Sequence, residues 1–369
     1  MKIQEQLRNG VSLDDLVEDL SLIVRKHADG RTLLKYSMIS SPMGNEIVQE
    51  CRGLILDAND NWNVVSMAFT KFFNYGEGHA ADIDWSTASV MEKVDGSLIT
   101  LYYHNDQWNI QTTGTIDAMC DVGIYNTTFS QLFKDAFNHS LDVLDENYFY
   151  AFELATLYNR VVTRYEEDQI VLLSIRDKNT LEELPFNHAE YRRITDSVDV
   201  VRLPNCFSLA SLDDCLKAAE ALPLLQEGYV VVDAAFNRIK IKSASYVDLH
   251  HLKDSENTIV DKMWNIAKVN EGDEFLVYFP EYIEIYDRIK VVYDDQMASL
   301  NALWNSVKHI EDRKEFALAI LGKHPFHGTL FRVKFGDLTV AESFNAIDTK
   351  KVAETLNLKQ HYYLTKEKK

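Results

Sequence analysis

The chain has 369 residues, 46% of them hydrophobic and 26% charged, with 14 glycines and 6 prolines. That composition excludes collagen-like and broadly disordered chains, and the length supports two domains of roughly 100–200 residues each. Fifty-seven acids against 38 bases give a net charge of -19, which argues against a protein that coats nucleic acid. Net charge describes the average surface, however, and a binding site is local.

The N-terminal stretch MKIQEQLRNGVSLDDLVEDL is polar and reads as a helix, not as a signal peptide. No apolar run approaches the ~18 residues that a membrane span needs. Cys51, Cys120, Cys206 and Cys215 are scattered, with no CxxC pair, and read as reduced thiols. A soluble, intracellular protein is expected.

From Thr32 to about Ser245, short apolar runs rich in β-branched and aromatic residues predict strands. These are GLILD (53–57), SLITLYYH (97–104), YFYAFELA (148–155), IVLLSIR (170–176), GYVVVD (228–233) and IKIK (239–242). Helical spacing interrupts them at Thr128–Phe137 and at Asp213–Ala221, where Pro223 ends the pattern. The mixture predicts an α+β domain over residues 1–245. After Tyr246, apolar residues at helical spacing over Asp261–Val269, Phe275–Val292, Gln296–Val307 and Glu311–Leu321 predict a mostly helical domain over 246–369.

Chemistry concentrates in the first domain. Lys93-Val94-Asp95-Gly96-Ser97 sets an ammonium at a tight turn before a strand. Glu153 interrupts the apolar run YFYAFELA, where burial without a partner is costly; an edge strand facing water is the alternative. Glu227 opens EGYVVV, and Lys240 and Lys242 share one face of IKIKS. Two ammonium groups on one face repel unless a polyanion lies between them; a triphosphate or phosphate is the natural candidate, and a solvated sheet face is the alternative. Cys51-Arg52-Gly53-Leu54 and Lys71-Phe72-Phe73-Asn74-Tyr75-Gly76-Glu77 add cations and aromatic rings.

In this order the segments resemble the covalent nucleotidyltransferases, the superfamily of polynucleotide ligases and mRNA capping enzymes. KVDGS resembles its motif I, FEL its motif III, EGYVVV its motif IV and IKIKS its motif V. More closely, CRGLIL, KFFNYGE, NRVV (159–162) and IKIKSASY resemble the phage RNA ligase 1 family of the T-even bacteriophages. The likeness runs from Tyr36 to about Tyr246, and the helical end matches by position and texture only.

The resemblance implies a nucleotidyltransferase domain of ATP-grasp-like antiparallel sheets, followed by an all-helical domain. It implies an ATP-dependent RNA ligase using Mg²⁺, with Mn²⁺ as a substitute, that acts in RNA or tRNA repair. Lys93 attacks the α-phosphate of ATP to form lysine–AMP; AMP passes to an RNA 5′-phosphate, and a 3′-hydroxyl displaces it. A lysine of reference pKa ~10.4 is protonated at pH 7. Desolvation and the neighbouring cations Lys240, Lys242 and Mg²⁺ are therefore expected to favour the free amine.

By the same carry-over, Glu153 accepts a ribose hydroxyl and Phe73 packs on adenine. Tyr36, Arg52 and Lys71 meet phosphate or ribose, and Gly96 lies at the nucleotide. Glu227 supports metal or water near the α-phosphate, and Asp273 is a second metal contact, with a helix-start acid as its alternative. In the helical domain, Phe316–Gly336 carries Lys323, Arg332 and Lys334 and no acid, and is expected to help hold RNA, such as a nicked tRNA anticodon loop. A packing helix plus a solvated strand is the alternative. His250, His251, His324 and His327 read as surface or capping residues.

One departure stands out. Thr113 occupies the position before Gly114 where the resemblance leads one to expect a basic residue. A monomer in the cytoplasm of the infected or host bacterial cell is expected. A DNA ligase, a capping-type guanylyltransferase and an RNA-end-binding module without catalysis remain the alternatives. The acids cluster mostly outside the motifs, as at Asp142–Glu146 and Glu281–Asp287, so an acidic protein can still keep a basic cleft.

Overall fold

A computed structural model of the chain describes residues 1–122, 127–159, 163, 165–223, 226–247, 259–278, 282–336 and 338–358. The chain forms two compact units, Met1–His250 and His251–Lys369. Among the described residues no helix is long and apolar enough to cross a membrane.

The N-terminal segment is two helices, not one: α1 (Lys2–Arg8) and α2 (Leu13–Leu20). Ser12 separates them, because its hydroxyl accepts from the Asp14 N–H at 3.2 Å and so caps α2. Both helices, with α3 (Glu46–Glu50), cover a four-stranded antiparallel sheet. Its strands are β1 (Leu22–Lys26), β2 (Arg31–Tyr36), β3 (Arg52–Asp57) and β4 (Asn63–Ser66), in that order. Ile3, Leu7, Leu16, Leu34, Leu54 and Leu56 form its core. Each such buried side chain contributes roughly 1.5–3 kcal/mol.

Two five-stranded sheets follow. One takes the order β11 (Val201–Arg202), β10 (Gln169–Asp177), β9 (Tyr148–Ala155), β7 (Ser97–His104), β8 (Gln107–Thr112). The helices α4 (Phe129–Phe137) and α5 (Ala189–Ser197) cover one face through Phe133, Phe137, Tyr191 and Ile194. The other takes the order β12 (Cys206–Phe207), β6 (Ser89–Glu92), β13 (Gly228–Val232), β14 (Arg238–Lys242), β5 (Phe73–Asn74). Here α6 (Leu212–Glu220) seats Cys215 and Ala219 against Ile239 and Ile241. Pairing is antiparallel except for β10 with β11 and β14 with β5, so the unit is α+β with predominantly antiparallel sheets.

Strand alternation decides what reaches the site. In β14, Ile239 and Ile241 enter the core with α6, which turns Lys240 and Lys242 to the other face. In β9, Tyr150, Phe152 and Leu154 enter the core with α4, leaving Glu153 on the opposite face. β9 is a central strand, with Leu98 and Val171 in register on either side of Glu153. That removes the edge-strand alternative.

The second unit is helical, but its breaks fall elsewhere than the sequence suggests. One helix runs through Ile283–Val307, across the polar Tyr293–Asp295, and another covers Gly272–Tyr278. Asp294 is no breaker there: it pairs with Lys290 one turn back at 2.7 Å, and no glycine or proline stops the pattern. The last segment of the proposed RNA-holding stretch is the helix Leu330–Lys334, in place of a strand. His250 and His251 lie outside the described residues.

Candidate active site

The turn 93–96 carries the chain from β6 of one sheet into β7 of another, and backbone contacts hold it in place. The Lys93 N–H donates to the Gly228 carbonyl at 2.9 Å. Asp95 accepts from the Thr163 N–H at 2.6 Å and from the Tyr246 hydroxyl at 2.9 Å, while its own N–H donates to the Tyr165 oxygen at 3.0 Å. A Cβ on Gly96 would sit 2.4 Å from the Leu154 carbonyl oxygen, so only glycine lets this turn press against β9. Asn159 secures the end of β9 by donating to Leu154 O at 2.7 Å and to the Ser97 hydroxyl at 2.9 Å. Residues 160–162 lie outside the described residues.

The side chains then converge. Lys93 Nζ lies 2.6 Å from Glu227 Oε2, and Lys242 Nζ lies 3.5 Å from Glu227 Oε1. The Glu227 carboxyl is 4% exposed and the Lys93 side chain 21%, so the acid is set deep and the amine reaches the opening. The Lys240 ammonium makes no hydrogen bond or ion pair to any described residue and stands 5.3 Å from the Phe72 ring centroid. Burial, reinforced by Lys242, Lys93, Lys71 and Arg52, pulls the Lys240 amine down to about 7.

Glu153 behaves inversely. Burial pushes its carboxyl up to about 8, with Lys93 and Arg52 pulling the other way and Glu227 and Asp95 adding to the rise. Lys71 Nζ stands 5.1 Å from the Tyr36 ring and 4.8 Å from the Phe73 ring, so the three residues form one cluster. Phe73 itself is largely buried. Arg52 lies over Phe72 at 5.5 Å, and its buried Nη1 has no hydrogen-bond partner among the described residues.

The structure therefore gathers Arg52, Lys93, Glu153, Glu227, Lys240 and Lys242 in one electrostatically coupled group, with Tyr36, Lys71 and Phe73 as an adjoining aromatic–cation cluster. Cations outnumber their carboxylate partners, and a buried donor on Arg52 is left unmatched. Such an arrangement fits a polyphosphate, whose oxygens would satisfy the orphaned donor and relieve the mutual repulsion. Among the described residues there is no group of three or more His, Cys, Asp or Glu that could cage a metal. A Mg²⁺ ion needs only one or two carboxylates when phosphates supply the rest, so Glu227 suffices on the protein side.

Other expected residues belong to the second unit. Asp273 lies in the second unit, exposed in the first turn of the helix Gly272–Tyr278, as a helix-start acid does. Lys323 and Arg332 are exposed in that unit. Lys334 is engaged: its ammonium donates to the Lys308 carbonyl at 2.7 Å, closing the end of the long helix, and meets Glu311 at 3.3 Å. Buried His324 bonds the Ser299 hydroxyl at 2.9 Å and accepts from the Phe326 N–H at 3.0 Å, a structural role.

Tyr246 and Tyr165 belong to the site's framework without having been singled out as site residues. The cue available for Tyr246 was its short spacing from Lys242, whose ammonium stands 5.7 Å from the Tyr246 ring.

Comparison with known proteins adds four findings. An RNA ligase family model matches residues 50–246. A protein of Autographa californica nuclear polyhedrosis virus, named as a candidate bifunctional polynucleotide kinase/RNA ligase, is 28% identical over 302 residues, covering 76% of this chain and 42% of the viral protein. The chain thus spans about two fifths of that relative's length. An RNA ligase of Rhodothermus phage RM378 is 28% identical over 348 residues, covering 74% of this chain and 78% of the phage protein. Among solved structures, an archaeal ATP-dependent RNA ligase aligns over 98% of both chains at 15% identity, with a TM-score of 0.47.

Proposed function

The chain belongs to the RNA ligase family, and on that footing we propose that it is an ATP-dependent ligase joining a 5′-phosphate to a 3′-hydroxyl at RNA ends. The observation that carries the reading is the Lys93–Glu227 pair, set beside the buried Lys240 ammonium and the unmatched Arg52 Nη1.

In the first step Lys93 Nζ attacks the α-phosphorus of ATP. A P–N bond forms, the bond from the α-phosphorus to the bridging oxygen breaks, and pyrophosphate leaves with that electron pair. The proton on Nζ must go elsewhere, and a Glu227 oxygen stands 2.6 Å away to accept it. Lys240 and Lys242 face the phosphates from one side of β14 and stabilise the charge that develops there. Mg²⁺, held by Glu227 and the nucleotide phosphates, would supply further neutralisation of that charge.

In the second step an oxygen of the RNA 5′-phosphate attacks the same phosphorus, the P–N bond breaks and Lys93 regains its proton. In the third, the 3′-hydroxyl attacks the activated 5′-phosphate, loses its proton, and AMP departs. Glu153 takes a ribose hydroxyl; with its carboxyl raised to about 8 it can donate as well as accept. Phe73 and Tyr36 border the base and sugar, and Lys71 meets phosphate.

Of the cations in Phe316–Gly336, Lys323 and Arg332 are exposed and would meet RNA, a nicked tRNA anticodon loop being the fitting substrate class. The setting proposed is the cytoplasm of a bacterial cell, with the protein acting as a monomer.

Incubation with labelled ATP and Mg²⁺ tests the reading: it should give an acid-labile, alkali-stable protein–AMP adduct. An absent adduct, or one that survives Lys93→Ala, would sink it. Labelling by GTP in place of ATP would instead favour a capping-type transferase.

A further inference from the structure

Lys35 stands where the site's cations would otherwise end. It lies on β2 in register with Arg52 of β3, at an irregularity between Leu34 and Lys35. The strand start at Gly53 has φ +75°, and a Cβ there would come 2.8 Å from the Thr113 Cα, so the loop after β8 lies directly on this backbone. Gln111 fixes that approach by donating to the Gly53 carbonyl at 2.7 Å. The Lys35 ammonium reaches the same loop, 4.0 Å from where a Gly114 Cβ would stand.

The Lys35 ammonium makes no hydrogen bond or ion pair to any described residue, and Nη1 of Arg52, its partner in register, is buried and makes no hydrogen bond either. Like charges at directly opposed positions of a sheet destabilise it. The pair is tolerable if an anion is shared between them. Thr113, the neighbour of Gly114, brings no charge to this spot.

We propose that Lys35 and Arg52 form a phosphate subsite of the active centre, with Lys35 supplying from β2 the positive charge that residue 113 does not. The inference deepens the ligase reading and rests on it. Arg52 belongs to the group that depresses the Lys240 amine, and Lys35 joins that group through its register with Arg52. The phosphate is either the β,γ end of ATP or the 5′-phosphate of RNA, since both present the same anionic oxygens.

Lys35→Met, with three readouts, tests this. The first is the ATP concentration giving half-maximal Lys93 adenylylation. The second is sealing of a pre-adenylylated oligoribonucleotide, which bypasses ATP. The third is calorimetric binding of inorganic tripolyphosphate, which needs no chemistry. A tenfold or larger rise in the ATP requirement, with sealing unchanged, assigns the subsite to ATP. A tenfold rise in the RNA requirement, with adenylylation unchanged, assigns it to RNA. In either case Lys35→Met/Thr113→Lys should recover the affected step, because the charge is restored from the other strand.

Wild-type behaviour of Lys35→Met in all three readouts would overturn the subsite. So would a loss that neither Thr113→Lys nor Lys35→Arg recovers, since that marks a packing defect. A wild-type protein that forms no adduct, yet binds tripolyphosphate less tightly after Lys35→Met, would instead refute the ligase reading and leave the subsite standing.

Discussion

Glu227 and Lys93 meet at 2.6 Å because main chain joins their segments: Lys93 N–H bonds the carbonyl of Gly228, the residue after Glu227, and the adjoining residues, Tyr229 and Glu92, pair in register between β13 and β6. The nucleophile and its partner are thus set by main chain, and their side chains need little further ordering. A Cβ on Gly228 would fall 2.0 Å from the Ile241 carbonyl oxygen, so the close approach of β13 to β14 at this point depends on glycine. The same carboxylate holds Lys242 on its other oxygen, which orients it toward both amines at once.

If Glu227 receives the Lys93 proton, Glu227→Gln should slow adenylylation by roughly 10²–10⁴-fold at pH 7. Raising the pH should recover part of the rate, because solvent base then deprotonates more of the amine. Single-turnover labelling at pH 7 and pH 9 measures both effects. A defect equal at the two pH values would contradict the role.

Lys240 carries a stability signature. Its amine is held at about 7 in the folded chain against an ordinary 10.5, so between those values the unfolded chain binds more protons. Stability should therefore rise with pH across that window through this group. Lys240→Met should remove that rise and stabilise the empty protein near pH 7 by on the order of 1 kcal/mol, about 2–4 °C in Tm. Urea unfolding at pH 7, 8 and 9 reads it, and adenylylation should fall in the same variant.

Glu153 gives the opposite slope. Its carboxyl is raised to about 8 from 4.5, so the folded chain holds the extra proton between those values and stability falls as pH rises through them. Glu153→Gln should match the parent near pH 4 and exceed it near pH 8. Equal pH profiles would show that the carboxyl is not desolvated as its position on β9 implies.

Gly96→Ala should lower adenylylation by about 10²-fold, the scale expected when a reacting group is displaced by about 1 Å. The new methyl would meet the Leu154 carbonyl, a backbone atom that cannot rotate away, and push the Lys93 turn off β9. ATP labelling checks the rate, and circular dichroism shows whether the sheets persist.

In the second unit the three cations should separate. Lys334→Ala should lower stability by on the order of 1 kcal/mol, since its ammonium closes the helix Ile283–Val307. Lys323→Ala/Arg332→Ala should leave stability alone, weaken RNA sealing and reduce the salt slope by about 1.4, at roughly 0.7 per lost single-strand phosphate contact. An unchanged salt slope would remove this unit from RNA binding.

The central strands were legible in the sequence because their apolar runs are continuous. Ser97–His104 and Tyr148–Ala155 coincide with the runs SLITLYYH and YFYAFELA, rich in aliphatic and aromatic residues. The face of Glu153 was not legible: alternation places it opposite Phe152 and Leu154, but only the strand order makes β9 central. The acidic Asp294-Asp295 step looks like a break in a linear reading, and it persists as helix because a Lys290 one turn away compensates it. Of the site, the residues in strands or tight turns could be picked out, since their side-chain direction follows from period and glycine. The contacts of Asp95 with Tyr246, and of Lys35 with the Gly114 loop, join distant segments through a tyrosine hydroxyl and a left-handed Gly53, for which local sequence has no marker.

The crowding of Arg52, Lys71, Lys93, Lys240 and Lys242 around two carboxylates has a consequence for the protein's persistence in a cell. The empty chain carries unrelieved repulsion, and any polyanion that relieves it binds the folded form alone. At a ligand concentration one hundred times its Kd, such binding adds about 2.7 kcal/mol to folding. Nucleotide supply would then set how long the molecule survives unfolding and proteolysis as well as how fast it works. A protein depleted of its nucleotide would be cleared sooner than a charged one, so its abundance would follow the energy state of the cell that holds it.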